Sequence, residues 1–187
     1  MPPRIPPLLH DDAPPQSRAV YRDFHTRMGF PAPPNFILTQ GHAPQVAAGT
    51  WGLVRSILVE GRLSRGLKEM IFVAISHARQ CRYCEAAHIA CCRVFGVNQH
   101  ILSTLVADPH ALPDNDSRDV ILFTLKCAAT PAALTDADFD TLRRQGYDEA
   151  MILELIAMSG LAVYANIMAD ATAMTSDAMF EEIGLGR

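Results

Sequence analysis

A chain of 187 residues that is 49% hydrophobic and only 7% aromatic must build its core from Ala, Leu, Ile, Val and Met, a mixture that favours helices over sheets. A net charge of −4 gives no electrostatic reason for nucleic acid binding, and no apolar run reaches the roughly 18 residues of a membrane span. The opening Met1-Pro2-Pro3-Arg4-Ile5-Pro6-Pro7 lacks the basic stretch and apolar core of a secretion signal, so a soluble cytoplasmic protein is expected.

Residues 1–15 read as a proline-rich arm, either disordered or draped over a neighbouring subunit through Ile5, Leu8 and Leu9. Residues 16–187 read as one all-helical domain, with no run of alternating residues that would make a strand. Val20, Tyr21, Phe24 and Met28 mark a first helix stopped by Gly29, and Pro31, Pro33 and Pro34 form a rigid link. A helix from Pro44 to Val59 ends near Gly61, and Ser64 caps the next one, which carries Glu69 and gives out around Arg79. The helix from Cys81 to Phe95 closes at Gly96, and Asn98 opens a short helix reaching Val106. Helices over 116–129, 135–145 and 148–173 complete the expected set, with Thr135 as a cap and Gly146 as a stop. Glu69 and Cys81 have an echo in Glu154 and Asn166, 85 residues later, which suggests a duplicated helical unit whose second copy lost its thiols.

The chemistry concentrates in Cys81-Arg82-Tyr83-Cys84-Glu85-Ala86-Ala87-His88. On one helix Cys81, Cys84 and His88 share a stripe that continues through Cys91 and Cys92. Cys81 stands at the helix start, where free backbone N–H groups and the helix dipole favour a thiolate. Glu69 precedes it by twelve residues, roughly 18 Å along a straight helix, so it reaches the thiols only if the chain turns near Gln80. Two thiols, an imidazole and a carboxylate are the parts of a thiol redox centre. Cys84 is then the attacking sulfur, His88 its base, and Glu69 the group that orients His88. Cys81, nearer the helix end and expected to be the more exposed thiol, is the resolving partner.

Other readings compete. Cys-x2-Cys is also half of a zinc site, with His77 as the nearby extra ligand, but adjacent Cys91 and Cys92 suit a tetrahedral cage poorly. A thioredoxin-like setting needs a preceding strand, which is missing. Cys91, Cys92 and the isolated Cys127 read as core packing. His25, His42, His77, His100 and His110 read as surface or core residues.

The spacing of Glu69, Cys81, Cys84 and His88 resembles the motif of the alkylhydroperoxidase D and carboxymuconolactone decarboxylase-like family. Pro34-Asn35, Pro44, Gly61-Arg62-Leu63 and Tyr83 are similar to its peroxidase-related subgroup. The resemblance covers roughly residues 30–175. It implies an all-α fold with a duplicated unit, and a homo-oligomer (dimer, trimer or hexamer) with sites near subunit interfaces. It also implies Cys84 as the sulfenic acid former, Cys81 as proton donor and resolving thiol, and Glu69 with His88 as the proton relay. The best-known peroxidases of the family carry histidine between the two thiols, where this chain has Tyr83, so one relay member is missing and Tyr83 is a candidate supporting residue. The expected function is a thiol-dependent peroxidase acting on hydroperoxides with a dithiol or protein reductant, without metal or organic cofactor. The alternative is a non-catalytic redox-sensing or assembly protein whose disulfide controls oligomer packing. Structural zinc or lactone decarboxylation ranks lower, since true decarboxylases do not depend on the thiol pair.

Overall fold

From Pro15 onward helix follows helix among the described residues. The structure is a computed structural model describing residues 2–184, and among them every regular element is helical. The helices are α1 (Pro15–Met28), α2 (Asn35–Gln40), α3 (Pro44–Val54), α4 (Arg65–Ala78), α5 (Arg82–Val94), α6 (Gln99–Ala107), α7 (Asn115–Ala129), α8 (Asp136–Arg144), α9 (Glu149–Thr172) and α10 (Ala178–Gly184). The caps fall where the sequence puts them: Leu67 N donates to Ser64 Oγ at 3.4 Å, and His100 N to Asn98 Oδ1 at 2.7 Å. Thr135 and Asp138 close a reciprocal capping box at the start of α8.

Four elements differ from expectation. The helix from Pro44 widens after Val54 into a π turn, Arg55–Val59, because the carbonyls of Ile57 and Glu60 turn to accept from Lys68 Nζ. Helices α2 and α10 are both too short to show a period. Cys81 is not helical but forms the N-cap of α5.

Helix α4 is the axis of the core. Its run from Lys68 to Ser76 is buried on every side, with α5, α6, α7 and α9 packed around it. Lys68 carries charge into this interior and is matched by Glu154 of α9. Gly61 lets the chain pass close to that pair: its φ is +101°, and a side chain there would run into Glu154. By length and apolar composition α9 resembles a membrane span, but Leu155, Met158, Leu161, Ala162 and Ala165 are buried in the bundle. The echo residues Glu154 and Asn166 lie on this one unbroken helix, whereas Glu69 and Cys81 flank a break, and both echo residues face α4.

The proline-rich arm lies along its own domain. Leu8 N donates to Leu38 O at 3.1 Å, Tyr21 Oη donates to Leu8 O at 3.0 Å, and Ala13 is buried. Arg4 caps the end of α9, its backbone N–H on Thr172 O at 2.7 Å and its guanidinium on the carbonyls of Asp170 and Ala171.

Candidate active site

The site begins at the elbow between α4 and α5. Gln80 adopts φ +61°, a left-handed conformation that non-glycine residues seldom take, and this single residue reverses the chain. Gln80 N donates to His77 O, and Cys81 N to Ser76 O, both at 2.9 Å. The reversal lays α5 against α4, so the turn that Glu69 requires is present.

Across that contact His88 Nδ1 meets Glu69 Oε2 at 2.5 Å, and Arg65 Nε donates to the other oxygen at 2.5 Å. Glu69 is fully buried. Burial opposes its ionisation, but His88 and Arg65 together outweigh that and hold the carboxyl below its usual range. The imidazole stacks on Phe72, ring centroids 3.8 Å apart, which fixes its plane. With Nδ1 tied to Glu69, Nε2 is the nitrogen able to pass a proton to a bound molecule.

The thiols are free and both are buried. Cys81 is completely inaccessible, contrary to the expectation that it is the more exposed of the two, because Asp170 of α9 reaches its sulfur. A hydrogen bond from the Cys84 thiol, joined by the Cys84 backbone N–H, lowers the Cys81 pKa against the opposing effects of burial and Asp170. That bond and burial push the Cys84 thiol well up. Of the two sulfurs, Cys81 is therefore the one more disposed to ionise and Cys84 the one more disposed to keep its proton. Asn166 stands beside them, its amide donating to the Cys84 sulfur and, at 3.0 Å, to Ser76 Oγ. Its Oδ1 is buried without a partner among the described residues.

Cys84 and His88 open onto a cavity of about 70 Å³, whose walls are otherwise almost wholly apolar and to which Cys81 contributes nothing. Cys91 also faces it, instead of lying in the core as Cys92 does, and burial pushes both thiols well above their ordinary range. Cys127 is buried on α7, as expected. Tyr83 turns away from the relay. Its hydroxyl donates to Asp177 Oδ2 at 2.7 Å and accepts from Phe36 N at 3.1 Å. His77, the extra zinc candidate, pairs with Glu85 on the surface, and among the described residues no three His, Cys, Asp or Glu side chains converge to hold a metal.

Sequence reasoning missed Arg65, Asp177 and Phe180 at this site. The Arg65–Glu69 pair had a readable signal in its spacing of four on one helix.

The Carboxymuconolactone decarboxylase family matches residues 44–112, a span holding all four residues of the motif. A peroxidase-related protein with an alkylhydroperoxidase AhpD core from Ralstonia eutropha JMP134 superposes with a TM-score of 0.87 at 26% identity, over 97% of this chain and 96% of that one. The fold of the chain is the alkylhydroperoxidase D-like helical fold. A peroxidase-related protein from Silicibacter sp. TM1040 shares this alkylhydroperoxidase D-like fold at TM-score 0.82 and 24% identity, over 92% of this chain and 91% of that one. The debrominase Bmp8, in complex with 2,3,4-tribromopyrrole, is similar at TM-score 0.78 and 26% identity, over 97% and 96%. No curated protein matches the chain.

Proposed function

We propose that this alkylhydroperoxidase D-like chain is an enzyme that reduces organic hydroperoxides with its Cys81/Cys84 pair. The observation that carries the reading is the joint position of Cys84 and His88 on one apolar cavity, with Cys81 hydrogen-bonded behind Cys84 and Glu69 behind His88.

The chemistry follows from that order. When a hydroperoxide ROOH enters, the Cys84 proton passes to the Cys81 thiolate, and the Cys84 sulfur attacks the terminal peroxide oxygen. The O–O bond breaks, Cys84 becomes a sulfenic acid, and the departing alkoxide takes a proton from His88 to leave as ROH. Glu69 holds His88 in the orientation for that transfer. The Cys81 thiol then displaces hydroxyl from the sulfenic acid, forming the disulfide and water. An external dithiol reduces the disulfide and is itself oxidised. Asn166 N–H steadies the negative charge on Cys84 during attack.

The test follows hydroperoxide consumption with dithiothreitol for wild type, Cys84→Ser and Cys81→Ser. Wild type turns over, Cys84→Ser does not, and Cys81→Ser accumulates a sulfenic acid that dimedone traps. Equal slow rates in all three would sink the enzymatic reading and leave the redox-sensing alternative.

A second reading has its own support in the likeness to the debrominase and in the ring-lined cavity: reductive removal of halogen from an aromatic ring, in which the thiol pair supplies two electrons and two protons, one proton replacing the halogen on the ring carbon and the other leaving with the halide as the disulfide forms. Halide release from a brominated pyrrole, without peroxide consumption, selects it. The homo-oligomer expected of the chain has apolar surface to draw on, since Leu53, Leu153 and Ile167 are exposed, and light scattering of purified protein tests it.

A further inference from the structure

We infer that the cavity beside Cys84 selects compact, ring-bearing substrates, and that Phe180 and the Tyr83–Asp177 hydrogen bond set this selection. The inference builds on the hydroperoxide reading for the reacting end of the molecule and adds the class of its other end.

Five of the chain's eight phenylalanines face this one small space. Its roof joins two distant segments: Phe30 precedes the proline link, and Phe180 stands on α10. These two rings meet edge to face, centroids 5.6 Å apart at 84°, and Phe30 continues to Phe24 at 6.1 Å. Walls that present ring edges and faces favour another ring over an aliphatic group of equal area, because the quadrupoles align. The volume of about 70 Å³ is about half of the roughly 150 Å³ that encloses benzene in an apolar protein cavity, so the space admits no more than one ring, and that ring only partly enclosed. The polar arm is drawn toward Cys84, His88 and Arg65, the polar side chains of the lining that lie together on the relay side.

The roof is held from below by the residue between the two thiols. Tyr83 Oη accepts from Phe36 N and donates to Asp177, while Asp177 Oδ1 accepts from Asn35 N at 2.9 Å. Asp177 immediately precedes α10, and Asn35 and Phe36 open α2, whose first N–H groups have no cap of their own. One hydroxyl thus pins both halves of the roof to the first turn of α5, the turn that carries Cys84. Phe180 then seats against Ala87, Ala90 and Cys91, where the small side chains leave the hollow it fills. Tyr83 is accordingly a positioning residue: it shapes the space rather than moving a proton.

The experiment separates binding from turnover. Trp51 is the only tryptophan and packs on Phe24 at 5.0 Å, so its fluorescence reports occupancy of the cavity. The unreactive probes are 2-phenyl-2-propanol and tert-butanol, the alcohols that the two corresponding hydroperoxides would leave. The expected result is an affinity at least tenfold higher for the ring-bearing alcohol in wild type. Phe180→Ala and Tyr83→Phe each reduce that preference to below threefold, and Phe180→Leu, which keeps the bulk without the ring, does likewise. In turnover, Tyr83→Phe raises KM for cumene hydroperoxide by a larger factor than it lowers kcat. Equal affinity of the two alcohols in wild type, or a preference untouched by Phe180→Ala and Tyr83→Phe, overturns the inference. A ring preference without any hydroperoxide consumption upholds it and defeats the peroxidase reading. Consumption without ring preference does the opposite.

Discussion

Glu69→Gln is the sharpest perturbation of this site because it removes one charge and almost no volume. Glu69 is buried and gives one oxygen to Arg65 and the other to His88, each at 2.5 Å. Removing one partner of a buried ion pair costs about 3–5 kcal/mol. Arg65 and His88 keep 17% and 16% side-chain exposure and can turn toward water, which places the cost near the lower end, about 3 kcal/mol. At about 2–4 °C per kcal/mol for a chain of this size, the melting temperature falls by about 6–12 °C. The loss has a pH signature. Glu69 ionises more readily in the folded chain than in the unfolded one, so its stabilisation is complete above the unfolded carboxyl range near about 4.3 and drains away as pH falls through the lower folded value. Thermal scans of both proteins across pH should show the gap at neutrality narrowing in acid. A gap below about 2 °C at neutral pH, or one that stays constant down to about pH 3, refutes the reasoning.

Three further substitutions probe what frames the site. Gln80→Gly relieves the left-handed elbow and raises stability by about 0.5–1 kcal/mol in urea unfolding, and a loss would mean that the elbow is not strained. Gly61→Ala sets a side chain against Glu154 and within 2.9 Å of Lys68 Nζ at φ +101°, so it lowers stability by about 2–4 kcal/mol, and an unchanged unfolding midpoint would contradict the packing described. Asn166→Ala takes a donor from the Cys84 sulfur, worth about 1.5–3 kcal/mol to a charged group, and slows disulfide formation on adding hydroperoxide by about tenfold or more. Thiol counting over time reads it, and an unaltered rate would remove Asn166 from the chemistry.

What could be read ahead of the fold was local. Ser64, Asn98 and Thr135 announced their helices because a cap is a contact across two or three residues. The distance from Glu69 to the thiols said that a turn must exist, yet nothing in Gln80 announces a left-handed residue as Gly or Asn would. Cys81 was misjudged for a related reason. A residue at a helix start is commonly open to solvent, but here α9 comes from 85 residues away to lay Asp170 and Asn166 over the thiols. The helix start and the bond from Cys84 both favour ionisation of Cys81, whereas Asp170 of α9 opposes it, an effect that no local pattern announces. Phe30 and Phe180 are 150 positions apart in sequence, and no periodicity records that they meet. Helix α10 has seven residues, too few to show an amphipathic pattern, although Asp177 before Ala178 is a readable start.

The two extremities of the described chain converge on the chemistry. Arg4 grips the last carbonyls of α9, the turn whose Asp170 side chain reaches Cys81, while α10 supplies the ring that closes the space over Cys84. Loosening either segment, the arm through Arg4 or α10 through Phe180, would therefore reach the reacting thiols through the helix or ring it holds in place.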